Sequence, residues 1–202
     1  MSDFPLFGLG LVVLPGELVP LHIFEERYKL MIGRCLESET EFGIVWLSDD
    51  EPRPVGCACA VERVVERSQD GRLNILTRGT RPFRVLEQQD HLPDPAGTVT
   101  FLEDVEDPPA PEVADQAREV YVELVEEATD RRIEPDELAR MSAYEMAATV
   151  DFGADAKQGL LELRSESARM RLVTRLLRAA MKRLELAERA QARARSNGKV
   201  RF

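Results

Sequence analysis

The sequence predicts an α+β fold, in which an antiparallel β-barrel with one helix precedes a bundle of four helices. Up to residue 107, short β-branched and aromatic runs alternate with Gly and Pro breaks. Asp107-Pro-Pro-Ala-Pro111 then places three prolines in four residues, which neither a strand nor a helix interior tolerates. After it, Ala, Leu, Glu and Arg dominate, as helices favour. We therefore expect a barrel domain at 1–107, a helical bundle at 108–192 and a frayed basic tail at 193–202.

Six short apolar runs predict the strands of the barrel. They are Leu6–Leu14, Phe42–Leu47, Val55–Glu66, Arg72–Thr77, Pro82–Gln88 and Thr98–Val105. Asp70-Gly71 lies between two of these runs and predicts a hairpin, because its tight turn needs positive φ. One helix is predicted over 24–37 from an apolar stripe at helical spacing, namely Phe24, Tyr28, Met31, Ile32 and Cys35. Strands that do not alternate with helices indicate a barrel-like sheet.

Four segments predict the helices of the bundle. The first runs from Val113 to Ala128, and the third from Ala154 to Leu163. The second begins at the capping-box sequence Ser142-Ala-Tyr-Glu145. The fourth begins after a cap at Ser165 and has an apolar face formed by Met170, Val173, Leu177, Met181 and Leu184. Glu166 in the first turn of the last helix suits the positive end of the helix dipole.

The formal net charge of −10 on 202 residues is unevenly distributed. Residues 1–107 carry −10, residues 108–159 carry −8, and residues 160–202 carry +8. An acidic body argues against general nucleic-acid binding. The basic last helix has two interpretations: it packs against the acidic body, or it contacts RNA. We favour the first, because the segment lacks aromatic side chains for base stacking.

Targeting features predict a cytoplasmic protein with no membrane association. No apolar run approaches the ~20 residues of a membrane span, and the N-terminus lacks the basic region of a signal peptide. The cysteine count is three, and an odd number of cysteines suits a reducing compartment.

No catalytic, metal-binding or cofactor-binding motif stands out. The chain lacks G-x-x-x-x-G-K-[ST], G-x-S-x-G and H-E-x-x-H. Its two histidines, His22 and His91, are expected to be structural or exposed. Cys57 and Cys59 share one strand face but lack further ligands at metal-site spacing, so we expect them to fill the barrel interior. We therefore expect no metal, no cofactor and no catalytic residue.

Several segments, in order, resemble one known family. They are Phe4–Phe7, Val13–Tyr28, Val55–Cys57, Asp70–Arg72, Arg78–Val85, Lys157–Glu162 and Ala168–Leu172. Over about 4–190, the chain resembles the Lon protease N-terminal (substrate-recognition) domain family, and its helical part resembles that family's stand-alone bacterial members. The ATPase and Ser-Lys protease parts of a full Lon have no counterpart in it.

The resemblance implies a barrel of the PUA-like type (similar to pseudouridine synthase and archaeosine transglycosylase domains) and a non-catalytic role in polypeptide recognition. It implies unfolded or extended polypeptides as partners, with a Lon-type AAA+ protease as a further partner that the chain would serve as adaptor or regulator. The candidate peptide-binding residues are Phe24, Arg27, Tyr28, Arg81 and Phe83. Each of these residues can also be explained by a structural role in the barrel, and the sequence alone does not decide between that role and peptide binding. RNA binding and peptidase activity are the alternative functions, and the oligomeric state is left open.

Overall fold

Six strands in the described part of the chain form one sheet. A computed structural model describes residues 3–49, 51–89, 95–129 and 131–197, with the side chains at 192 and 194–197 excepted. The strands are β1 Phe4–Leu9, β2 Leu18–Ile23, β3 Phe42–Ser48, β4 Glu51–Arg67, β5 Leu73–Gln89 and β6 Ala96–Phe101. Their order is β2-β5-β4-β3-β1-β6, and β6 pairs again with β5. Five strands therefore close into a ring, and β2 lies outside it on β5.

The barrel-like α+β fold is confirmed, but the sheet is not antiparallel throughout. Strand β1 runs parallel to β3, with Leu6 opposite Gly43. A parallel pair needs a crossover connection, and residues 10–41 supply one that contains β2 and the first helix. The other pairs of the described strands are antiparallel.

Strand β5 runs through a segment that reads as a break in the sequence. The runs Arg72–Thr77 and Pro82–Gln88 belong to this one strand, whereas β2 was not predicted. Gly79 is required because a Cβ there would lie 2.2 Å from the carbonyl oxygen of Leu14. Its amide donates to the carbonyl of Glu17 at 2.9 Å, so the glycine permits a close backbone crossing.

Local signals in the barrel half are mostly confirmed. Strands β4 and β5 form the predicted hairpin, with Gly71 at φ +81°. Helix α1 spans Glu26–Ser38 and buries Tyr28, Met31, Ile32 and Cys35. The first member of the predicted stripe, Phe24, precedes the helix and is 59% exposed, so its assignment to the stripe was wrong.

Five helices, one more than predicted, lie in the described part of the chain after residue 110. They are α2 Pro111–Thr129, α3 Pro135–Arg140, α4 Ala143–Ala148, α5 Ala154–Glu162 and α6 Glu166–Asn197. The added helix, α3, buries no residue and so has no apolar stripe to find. The capping box of α4 and the Ser165 cap of α6 are both present. Helix α6 continues past the expected limit at 192. None of the described helices combines the length and the hydropathy that a membrane span needs.

The ring of strands has an apolar cluster on each face. The inner cluster contains the buried side chains Leu6, Val45, Ala58 and Phe83, with Phe4, Val85, Val99 and Phe101 packed around them. The ring of Phe83 fills the space above Gly43 and Gly56, where a Cβ would lie 2.5 Å and 2.7 Å from it.

The outer cluster joins the sheet to α1 and to the later helices. Cys57 and Cys59 share one strand face as predicted, but they belong to this outer cluster. Their expected place in the barrel interior is corrected, because Ala58 between them is the residue that faces Phe83.

Polar contacts hold the helices to the barrel. On α5, Lys157 forms an ion pair of 2.5 Å with Glu17, and the Gln158 side chain donates to the carbonyl of Val55 at 3.1 Å. On α6, the buried guanidinium of Arg169 contacts Asp104, Glu166 and the ring of Tyr144. The last helix is therefore held to the linker after β6 through the contact of Arg169 with Asp104.

Four further cations of α6 lie on its exposed face. Arg171, Arg175, Arg178 and Lys182 form an exposed row at helical spacing. None of the four has an ion pair with another residue in the described ranges. The expected packing of the last helix against the acidic body therefore does not account for this row.

Candidate functional site

A groove opens at one mouth of the ring, where strands β4 and β5 diverge. Their pairing ends with Val55 opposite Arg84. Strand β4 nevertheless begins at Glu51, and β5 continues to Gln89. Within the described residues, the facing edges of these two segments therefore have no partner strand. A cavity of about 360 Å³ lies between them.

The groove has an aliphatic floor. Leu6, Val45 and Val85 belong to the inner cluster, and Leu47 lies beside Gly8 at the rim. Phe83 is fully buried in the same cluster and supports this floor from below. The floor is preformed by packing, so a ligand side chain would meet an apolar surface without rearrangement of the ring.

Helix α1 supplies one wall of the groove. Arg27 forms an ion pair of 2.9 Å with Glu25, and its guanidinium lies 4.6 Å from the centre of the Tyr28 ring. The Tyr28 ring packs against Phe7, with their centres 4.0 Å apart. Burial raises the pKa of Tyr28 above its ordinary 10.0, so the phenol stays protonated and can donate a hydrogen bond at neutral pH.

The opposite wall comes from the start of β4. Pro52, Arg53 and Pro54 line it, and Gln88 of β5 lies across the groove. The exposed guanidinium of Arg53 lies 5.3 Å from the centre of the Trp46 ring. Among the described residues, no carboxylate forms an ion pair with Arg53, and none lines the groove.

The five predicted site residues do not form one site. Arg27 and Tyr28 line the groove. Phe83 lies beneath the floor, where no ligand can reach it. Arg81 forms an ion pair with Glu41 and covers the ring of Phe101 at 3.7 Å, outside the groove. Phe24 stacks on His22 at the surface, also outside it. Their role in peptide binding stays a prediction.

Sequence reasoning missed the residues of the β4 wall. The signal that could have found them is Pro52-Arg53-Pro54, because prolines alternating at the start of a strand mark a sheet edge. With that signal, Arg53 would have been predicted as a cation at the edge of the sheet.

Of the two histidines, only His22 lies within the described ranges. The Nδ1 atom of His22 lies 2.6 Å from the side-chain oxygen of Asn74, whereas His91 falls outside those ranges. No group of three His, Cys, Asp or Glu side chains there could hold a metal ion.

Two larger grooves border the short helix α3. One, of about 730 Å³, is lined by Glu17, Glu137 and Glu145, and the other, of about 710 Å³, by Glu119 and Glu123 among others. Both carry several carboxylates, and their linings draw on helices and the turn before β2. The ring-mouth groove differs in offering an apolar floor beside a strand edge that no described strand covers.

Comparisons with known proteins point to one family. The model of the ATP-dependent protease La (LON) substrate-binding domain matches residues 3–179. The chain is similar to a solved Lon N-terminal domain protein from Xanthomonas campestris, with 25% identity, a TM-score of 0.66, and coverage of 84% of this chain and 95% of that one. It is also similar in fold to the N-terminal domain of the Mycobacterium avium complex Lon protease, with 19% identity, a TM-score of 0.66, and coverage of 87% and 98%.

Proposed function

The chain belongs to the Lon substrate-binding domain family, and from that premise we propose that it is a non-catalytic module that binds extended polypeptide segments in the ring-mouth groove. The observation that carries the proposal is the aliphatic floor beside the β4-facing edge of β5, which has no partner strand beyond Arg84 among the described residues. Exposed apolar side chains and free main-chain groups are what distinguish an unfolded chain from a folded one. The groove offers a surface for each.

Strand addition explains how such a segment would bind. The main chain would pair with the β5 edge beyond Arg84, and an apolar side chain would enter the space between Leu6, Val45 and Val85. Affinity would come from main-chain hydrogen bonds, which all sequences share. Selectivity would come from the pocket, which accepts many aliphatic or aromatic side chains.

The cellular role that we propose is that of a cytoplasmic adaptor or regulator which presents polypeptides to a Lon-type AAA+ protease. Family membership supports this role, and the free, buried thiols of Cys35, Cys57 and Cys59 suit a reducing compartment. Affinity purification from its own cytosol tests the role. Recovery of a Lon-type protease is expected, and its consistent absence would contradict the adaptor role.

A matched pair of leucines tests the groove. Leu47, 37% exposed, lines it, and Leu30, 60% exposed, lies outside it on α1. Leu47→Asp places a charge at the rim of the apolar floor and is expected to weaken binding about tenfold or more, whereas Leu30→Asp leaves it unchanged. Fluorescence anisotropy with a reduced and alkylated, permanently unfolded protein measures both. Equal affinities of the two variants, or no binding by the parent chain at high micromolar concentration, would contradict the proposal.

RNA binding is a second candidate, favoured by the exposed row of cations on α6. Arg171, Arg175, Arg178 and Lys182 have no ion pair in the described ranges and could contact phosphates. Filter binding at low salt tests it: RNA affinity should fall steeply as salt rises. No retention at low salt would remove this candidate.

A further inference from the structure

We propose that the chain associates with a second copy of itself, and that the exposed cations of α6 on one copy dock along the acidic groove between α2 and α3 on the other. The cation row consists of Arg171, Arg175, Arg178 and Lys182. The α2–α3 groove is the cavity of about 710 Å³ whose lining includes Asp115, Glu119, Glu123 and Glu126. It shares no lining residue with the ring-mouth groove, so this association goes beyond the proposed function.

The two rows of charge match in length and in spacing. The cations of α6 follow one another at intervals of four, three and four residues, and the carboxylates of α2 at intervals of four, four and three. Each row therefore spans eleven positions, about 16 Å along its helix, and stays on one helix face. Two helices that lie side by side can bring the four cations close to the four carboxylates.

Most carboxylates of the α2–α3 groove lack a cation within their own chain. Glu119, Glu123 and Glu126 are exposed and form no ion pair in the described ranges. Asp115 contacts Arg118 at 3.4 Å, and 66% of its side chain is exposed. Four carboxylates with one guanidinium leave an excess of negative charge on the described lining, which a row of cations would offset.

The larger groove that borders α3 suits cations less well, because the fold already uses carboxylates of its lining. Glu17 forms an ion pair of 2.5 Å with Lys157. Glu145 accepts hydrogen bonds from the backbone amide and the hydroxyl of Ser142 in the capping box. Of these two grooves, the α2–α3 groove therefore has the charge that is available to a partner.

The α2–α3 groove also offers a fixed shape and apolar contact. The Arg118 guanidinium donates to the Ala139 carbonyl at 2.8 Å and so joins α2 to α3. Val122 and Leu138, both half-buried, and Pro135 line the same cavity. A docked helix can cover these side chains with the aliphatic stems of its arginines and lysines while their charged ends reach the carboxylates.

A second copy fits the cation row better than a nucleic acid does. The net charge of −10 on the whole chain repels a phosphate backbone. Helix α6 has no aromatic side chain on which a base could stack. The second copy instead supplies carboxylates whose number and spacing match the row.

The contact can close on itself, because each copy carries one cation row and one α2–α3 groove. Two copies related by a twofold axis would make it twice, and any other arrangement would repeat it in a ring or a chain. Exposed ion pairs are individually weak and are screened by salt. We therefore expect a dissociation constant of about 10–100 μM at low salt.

Sedimentation velocity on the full chain tests the association over a range of protein concentrations, at low and at high salt. Two double variants reverse the charge of one surface each. The row variant is Arg175→Glu with Arg178→Glu, and the groove variant is Glu119→Lys with Glu123→Lys. The variants are measured alone and as an equimolar mixture.

A third double variant, Arg63→Glu with Arg67→Glu, is the matched control. Both arginines lie exposed on β4, outside the cation row and the α2–α3 groove. This variant changes the net charge by the same amount as the row variant does. It therefore separates the effect of one surface from that of overall charge.

The parent chain and the control should associate at low salt and dissociate as salt is raised. The row variant and the groove variant should each associate about tenfold or more weakly on their own, because like charges then face each other. Their mixture should associate as the parent does. The reversed row of one variant meets the reversed groove of the other, and the two unaltered surfaces make the second contact.

Three results would overturn the inference. The first is a parent chain that stays monomeric at low salt at every concentration; loss of RNA retention in the row variant would then assign the cations to nucleic acid. The second is association that survives both reversals, which would place the interface elsewhere. The third is a mixture of the two variants that remains as dissociated as each variant alone.

Discussion

Arginine side chains at the junction between barrel and helices and in the ring-mouth groove are in opposite circumstances. At the junction, Arg169 is 3% exposed and contacts two carboxylates, a tyrosine ring and the carbonyl of Leu163. On the groove wall, Arg53 is exposed, with its guanidinium 5.3 Å from the centre of the Trp46 ring and no described carboxylate as a partner. The residue type is the same, but one guanidinium is fully used by the fold and the other is left available.

This difference distinguishes an arginine that stabilises the fold from one whose charge is available to bind a ligand. Hydrogen bonds that Arg169 makes with Asp104, Leu163 and Glu166 join the linker after β6 to α5 and α6. Burial alone would lower the pKa of Arg169, but its hydrogen bonds to Asp104 and Glu166 raise it, so the side chain stays charged. A cation with its donors occupied cannot recognise a ligand. The two regions should therefore respond in opposite ways to the same substitution.

The largest expected effect comes from removing Arg169. Arg169→Ala leaves partly buried carboxylates without their partner and should lower the free energy of unfolding by about 3 kcal/mol or more. Arg53→Ala should change it by less than about 0.5 kcal/mol, because an exposed side chain is removed. Urea denaturation followed by circular dichroism measures both.

If Arg169→Ala does not fold, Arg169→Lys keeps the charge and loses the planar fork, and an intermediate loss is expected. Similar losses for the Arg53 and Arg169 variants would contradict the distinction between the two regions.

A second prediction asks whether the groove floor is packed as tightly as the junction. Gly56→Ala would place a Cβ 2.4 Å from the Ile44 carbonyl oxygen and 2.7 Å from the Phe83 ring. Such overpacking should cost about 1–3 kcal/mol.

Gly33→Ala is the matched control, because no atom lies within 4 Å of a Cβ at this position in α1. It should stabilise the chain by about 0.5–1 kcal/mol. Thermal unfolding of the two variants measures whether each substitution stabilises or destabilises the chain. A neutral Gly56→Ala would show that the floor yields and is not preformed.

The smallest effect is the pH dependence of the junction. The hydrogen bond from Arg169 holds the pKa of Asp104 below its ordinary 3.8. A lowered pKa in the folded chain means that this contribution is complete above about pH 4 and is lost as pH falls through the folded value. The Asp104 side chain is 44% exposed, so the effect should stay below about 1 kcal/mol.

Stability should therefore fall less steeply below pH 4 in Asp104→Asn than in the parent chain. Asp136→Asn, at an exposed position on α3, should follow the parent. Urea midpoints measured from pH 5 to pH 3 provide the comparison. Parallel curves for the parent and Asp104→Asn would contradict a pH-sensitive junction.

Features specified by neighbouring residues could be predicted from the sequence. The hairpin at Asp70-Gly71 and the capping box at Ser142 depend on a few residues each, and both are present. Strand β5 could not be predicted whole, because Gly79 reads as a break until Leu14 is brought against it. The role of a glycine in a close crossing depends on a residue that is distant in the sequence.

The candidate site was predictable only in part for the same reason. The sequence places Arg27 and Tyr28 at the start of a helix that closes the barrel, and both line the groove. Arg53 joins them only because the β4–β5 pairing stops at Val55. Where a pairing stops depends on the closure of the whole ring. Phe83 was a candidate ligand contact, but alternation alone could not tell the inner face of the ring from an exposed surface.

The closure of the ring also has a consequence for how quickly the chain folds. Strand β1 contacts β3 through Leu6 and Gly43 and β6 through Phe4 and Gly97, so its partners lie far along the sequence. Contacts of such high sequence separation carry a large loop-closure cost and slow the search for the native topology. During synthesis, β1 must wait for β6 to emerge before the ring can close. A protein that we propose to bind extended, unfolded segments therefore carries such a segment itself early in its own synthesis, while β1 is still unpaired.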